Sequence, residues 1–173
     1  MSGGAKGLLV PCDIDAPIEL REIASFSDIQ SMVAELVIPV DIEPADVTIF
    51  VDAHDRYKSL PPNARASFLR WYWDPSSQVL PAFHGDVLLT GLTDHRFGVA
   101  DVPADLRIEI LYGGPYQVEV SVNDGWHRLD TVYRDYSDAA LWAVLTLNRT
   151  PGATGARMVP ARTGANLQGE QAA

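Results

Sequence analysis

Asp52-Ala53-His54-Asp55 places three titratable side chains within four residues. On an extended segment, residues two apart share a side, so Asp52 and His54 could begin an acid–base pair or a metal site. A zinc or hard-metal centre needs three or four ligands. The other histidines close to acids are His84, beside Gly85-Asp86, and His95, beside Asp94. Convergence of His54, His84 and Asp86 would make a two-histidine, one-carboxylate set. An ordinary polar turn accounts for the same residues, and neither a metal nor another cofactor is expected. His127, next to Trp126, is expected to face solvent or a cross-strand partner. Cys12 is the only cysteine, which excludes an intramolecular disulfide. Asp13 and Asp15 beside it disfavour a thiolate, so an idle thiol is expected. Ser59 and Ser67 lie in no Gly-x-Ser-x-Gly elbow, and no glycine-rich phosphate loop is present. A non-enzyme is favoured, and a metal-dependent hydrolase built on Asp52, His54, His84 and Asp86 is the remotest alternative.

A second candidate is the stretch from Leu60 to Trp73, "LPPNARASFLRWYW". Pro61 and Pro62 have no backbone N–H, and Asn63 stands where a helix N-cap belongs. Arg65 in the first turn, beside outward-pointing amides, suits a carboxylate or phosphate. Arg70 with Trp71 and Tyr72 offers a cation and a stacking surface. Asn63, Arg65, Arg70, Asp52 and His54 are therefore the candidate ligand-binding residues. The structural alternative, which is favoured, pairs Arg65 and Arg70 with the acidic N-terminal lobe and places the aromatics in the core.

The charge is uneven. Residues 1 to 52 hold ten acids and two bases, net −8, of a total of −10. Such a chain repels nucleic-acid phosphate, so no direct nucleic-acid binding is expected. Its acidity serves solubility, or attracts a basic partner through Asp41, Glu43 and Asp46, or imitates the charge of DNA. Trp71 and Tyr72 are the aromatic candidates for that interface. No apolar run approaches the ~20 residues of a membrane span, and no secretory leader is expected, which points to the cytoplasm.

The elements that must position these residues read as α+β. Strands are expected at Gly7–Val10, Ile18–Ile23, Val40–Ile42, Val47–Val51 and Gly85–Gly91, the last one central. A helix with Ser27 and Gln30 at capping-box spacing carries Ile29, Met32, Val33, Leu36 and Val37 on one face and ends at Pro39. A second helix runs from Ala64 to Trp73. Together these make a mixed or antiparallel sheet with two packed helices over residues 7–106. Residues 107–149 follow as strands at Arg107–Tyr112, Tyr116–Val122 and Trp126–Tyr133, with a hairpin at Asn123-Asp124-Gly125 and a helix around Ala139–Leu147. Whether they form a separate lobe stays open. Residues 150–173, rich in Gly, Ala, Thr and Pro, are expected to be a flexible tail.

"GLLVPCDIDAPIELREI", "VTIFVDAHDRYKSLPPNARAS" and "FHGDVLLTGLTDHRFGVADVP" resemble a domain family of unknown function found largely in bacteriophages and mobile elements. The resemblance covers about residues 7–106. Its most specific pieces are Leu60-Pro61-Pro62-Asn63-Ala64-Arg65-Ala66 and Gly85-Asp86-Val87-Leu88-Leu89-Thr90-Gly91. It implies an accessory protein and no reaction. The expected function is binding and modulation of a host protein, as a DNA-charge mimic or counter-defence factor. The alternative is a protein that sequesters an anionic metabolite or nucleotide, and self-association stays open.

Overall fold

The computed structural model describes residues 4–94 and 98–162. His95 and the last eleven residues of the expected tail lie outside them. The chain is α+β and divides into two compact units, Met1–Leu111 and Tyr112–Ala173.

The first unit holds β1 (Ala5–Val10), β2 (Glu19–Ile23), α1 (Phe26–Met32), β3 (Val37–Ile42), β4 (Val47–Asp52), α2 (Ala64–Trp73), β5 (Val87–Gly91) and most of α3 (Ala104–Tyr112). Its sheet has the order β2-β1-β5-β4-β3 and is antiparallel throughout. Leu9, Leu88 and Phe50 stand in one cross-strand row, and Leu8, Leu89 and Ile49 in the next. Side chains alternate across a strand, so these rows face opposite ways. The first row joins Ile23, Val37 and Ile29 in a core to which Met32 and Val33 add, so α1 and the turn after it cover that face. Leu8, Val10, Ile49, Val87 and Leu89 on the other face are fully buried as well. With both faces covered, β4 and β5 read as near-continuous apolar runs instead of alternating ones.

Pro39 belongs to β3, an edge strand, and does not end a helix. The bond from Ala53 N–H to the Leu36 carbonyl, combined with the register, turns Ile38, Val40 and Ile42 toward β4. Val37, Pro39 and Asp41 direct their backbone groups outward, where a proline forfeits no ladder bond and removes a donor from the free edge. The expected long helix is correspondingly cut to α1. Its capping carboxylate is Asp28, which accepts from the N–H groups of Ala24 and Ser25, both at 2.8 Å. Val37 leaves the helical pattern because its β-branched run pairs along β4.

A second correction concerns Arg107–Tyr112, expected as a strand but forming the greater part of α3. Arg107 N–H closes a turn on the Pro103 carbonyl, and Asp105 lies in the first turn. The alternation of Ile108, Ile110 and Tyr112 misled because it reports no buried face: Ile110 is buried while Ile108 and Tyr112 are exposed.

The second unit is β6 (Tyr116–Val122), β7 (Gly125–Tyr133), α4 (Tyr136–Arg149) and β8 (Ala153–Pro160), with sheet order β7-β6-β8. α4 packs mainly across β6 and β8. Its Ala139, Ala140, Ala143 and Val144 are buried, and Tyr136 meets Tyr116 edge to face at 5.9 Å. The strand β8 corrects the expected flexible tail. Its Gly and Ala residues resemble linker composition, yet β8 pairs along the central strand β6, and Gly155 lies beside the Trp126 ring. The hairpin expected at Asn123-Asp124-Gly125 is present. Asn123 and Asp124 have φ of 50° and 62°, the paired left-handed residues of a type I′ turn. An Asp124→Gly substitution should raise the stability of the second unit by about 1 kcal/mol by relieving that conformation, read as a higher denaturant midpoint in urea.

Candidate functional site

Asn63 is fully buried at the start of α2. Its Oδ1 accepts the Ala66 N–H at 3.0 Å, as the sequence indicated for an N-cap. Its Nδ2 donates to the carbonyls of Val10 at 2.9 Å and Gly85 at 3.0 Å. Its backbone N–H reaches the Phe83 carbonyl, and Ser67 Oγ, bonded to the Asn63 carbonyl, accepts from Phe83 N–H. One side chain thus ties the end of β1, the start of α2 and the approach to β5. Gly85 has φ +75°, a backbone conformation that L side chains rarely adopt, so the turn there favours glycine.

Arg65 donates to the carbonyls of Pro11, Asp13 and Ala16, each at 2.8 Å. It closes the β1–β2 loop through backbone oxygens of that acidic segment. The residues proposed as an anion cradle are brought together, with these donors aimed at the chain's own carbonyls. Arg70 is buried over the Phe83 ring, 4.2 Å from its centre, and donates to the Pro81 carbonyl. Burial lowers its pKa, and the charge of Asp74 opposes that shift. Arg70 Nε and Trp71 Nε1 are buried without a hydrogen-bond partner. Their surroundings are aromatic, with Phe68 perpendicular to Trp71 at 5.0 Å. Trp71 and Tyr72 are half-buried.

Asp52 lies buried at the end of β4. Burial alone would raise its pKa. The hydrogen bonds from Lys58 Nζ at 2.6 Å and His54 N–H at 2.8 Å, with the Lys58 charge, outweigh burial and hold the carboxyl below its usual range. The Asp52–His54 contact therefore runs through the backbone, while the His54 ring is exposed near Tyr57. His84 Nδ1 lies 3.5 Å from Asp55 Oδ2 and makes no hydrogen bond. Asp86 accepts from the Cys12 N–H. Burial and then Asp86 push the Cys12 thiol pKa up. Among the described residues no three His, Cys, Asp or Glu side chains gather as a metal site, so His54, His84 and Asp86 are not brought together in one.

Asp41, Glu43 and Asp46 are exposed around the turn from β3 to β4, where Asp41 also accepts from Thr48 Oγ1. A further cluster had no sequence signal. Glu119 on β6 is nearly buried between Arg128 on β7 and Arg157 on β8. Hydrogen bonds from Arg157 and then Arg128 hold its carboxyl below the usual range. Each member is a single residue on a different strand, and Arg157 falls in the stretch that reads as tail.

Residues 6–113 match the model of a domain family of unknown function, DUF3846, and the chain belongs to that family. The match runs from β1 to just past α3. No curated protein and no solved structure matches the chain.

Asn63→Ala should destabilise the first unit by about 3 kcal/mol, one part from the lost cap and the rest from two buried carbonyls left without donors, measured by urea unfolding. Lys58→Ala should bring Asp52 closer to an ordinary carboxyl. A carboxyl whose folded pKa is depressed contributes stability above its unfolded pKa and loses it as pH falls through the folded value. The variant should therefore begin acid unfolding at higher pH than the parent, followed by circular dichroism.

Proposed function

We propose that this chain is an accessory protein of a bacteriophage or mobile element that binds and modulates a host protein in the cytoplasm. The observation that carries this reading is the distribution of charge. Residues 1 to 111 hold seventeen acids against eight bases, net −9 of the chain's −10. Asp41, Glu43 and Asp46 stand exposed together beside the edge strand β3. A surface of that sign attracts a basic partner, speeds its encounter and competes for sites that otherwise hold DNA phosphate. Pro39 and the neighbouring charges keep the same edge from strand-to-strand pairing, which favours recognition by side chains.

Affinity capture from host lysate provides the test, comparing the parent with an Asp41→Asn, Glu43→Gln, Asp46→Asn variant. Three exposed attractions of about 0.2–1 kcal/mol each should lower capture roughly tenfold, and capture by the parent should fall as salt rises. Equal capture by both proteins at low salt would sink the charge-based reading.

A further inference from the structure

The face of the second unit's sheet opposite α4 carries a preorganised cation. Tyr116 on β6 meets Tyr136 of α4, so Glu119 and Ser121, an odd number of residues further along, point to the other side. The register places Trp126 and Gly155 on either side of Ser121, and Arg128 and Arg157 on either side of Glu119. Arg128 Nε and Nη2 lie 2.9 and 2.8 Å from Glu119 Oε1, and Arg157 Nε and Nη2 lie 2.9 and 2.8 Å from Oε2. Both guanidinium groups therefore approach side-on. That leaves the Nη1–Nη2 edge of each for another acceptor, the fork that matches a phosphate or carboxylate. One carboxylate cannot neutralise two guanidinium groups, so the cluster keeps a surplus positive charge within an acidic chain.

Arg157 is fixed a second time by Trp126, with its guanidinium carbon 4.1 Å from the ring centre. A Cβ at Gly155 would stand in ordinary contact with Trp126 Cη2, at 3.4 Å, so the ring reaches across to β8. Side chains already ordered by carboxylate, ring and backbone lose little further freedom when a ligand arrives. Trp126 is 46% exposed and the Arg157 side chain 50%, so both the indole and the guanidinium edge are reachable from solvent.

We propose that this face binds a mononucleotide, its phosphate on the free guanidinium edge of Arg157 and its base stacked against the exposed indole of Trp126. Charge sets the size of the ligand. The net −10 of the chain repels a polyanion, whereas one phosphate meets the local surplus of the cluster.

Calorimetric titration of the full chain with AMP, adenosine, inorganic phosphate and a short single-stranded oligonucleotide tests this. AMP should bind, and adenosine and phosphate alone should each bind at least about tenfold more weakly, since each loses one of the two contacts. Arg157→Lys keeps the charge but loses the fork and should weaken AMP at least about tenfold. Trp126→Leu, which removes the stacking ring and leaves the Glu119 ion pairs in place, should do the same. Trp142→Ala, on α4, should leave binding unchanged. Circular dichroism reports folding of each variant, and Trp126→Leu serves alone if Arg157→Lys unfolds. No heat with AMP, equal affinity for AMP and phosphate, tighter binding of the oligonucleotide, or unchanged AMP affinity in a folded Trp126→Leu variant would each overturn the proposal.

Discussion

The first unit depends on one carboxamide that both gives and takes hydrogen bonds where water does not reach. Asn63 satisfies a helix amide with its oxygen and, with its nitrogen, the Val10 carbonyl at the end of β1 and the Gly85 carbonyl ahead of β5. An aspartate in its place would offer no donor to the carbonyls, and a leucine would leave all three groups bare. Arg65 repeats the device one residue pair further on, closing the β1–β2 loop through carbonyls. Buried polar groups are retained where they are fully paired, and these pairings set the entry of α2 against the ends of β1 and β5.

Much of this was legible in the sequence, for reasons that can be named. The Asn63 cap, the Asn123-Asp124 turn and the central place of β5 each rest on local rules: a side chain that bonds its own helix, residues tolerant of positive φ, an apolar run between glycines. What was not legible depends on partners distant in the chain. Val37 follows the helical period yet belongs to β3 because β4 pairs with it. The residues of β8 have weak strand propensity and become a strand because β6 presents a free side to them. In α3 the alternation was real but two of its three apolar residues are exposed, so periodicity carried no information about burial.

The candidate site residues divide in the same manner. Spacing put Asp52 and His54 on one side of an extended chain, but a tight turn brought Lys58 and the His54 backbone to the carboxylate instead. His84 lies 3.5 Å from Asp55, while Asp86 accepts from the Cys12 N–H. The Glu119 cluster unites residues from three strands, and no short-range pattern joins a glutamate, two arginines and a tryptophan separated by up to 38 positions. Charge, by contrast, is additive and needs no fold to be counted, which is why the acidity of residues 1 to 52 was visible at once.

The place of β5 has a consequence for the order in which the first unit assembles. β1 with β2, and β3 with β4, are hairpins of neighbouring segments that close short loops. β5 pairs with β1 from almost eighty residues away and separates the two hairpins in the finished sheet. Local pairings form before distant ones because loop closure is entropically less demanding. Until Val87–Gly91 is available, β1 and β4 each present an unpaired apolar edge, the state in which strands pair with the wrong neighbour. During synthesis the hazard lasts until that one five-residue strand has been made, and its insertion turns two adhesive half-sheets into one.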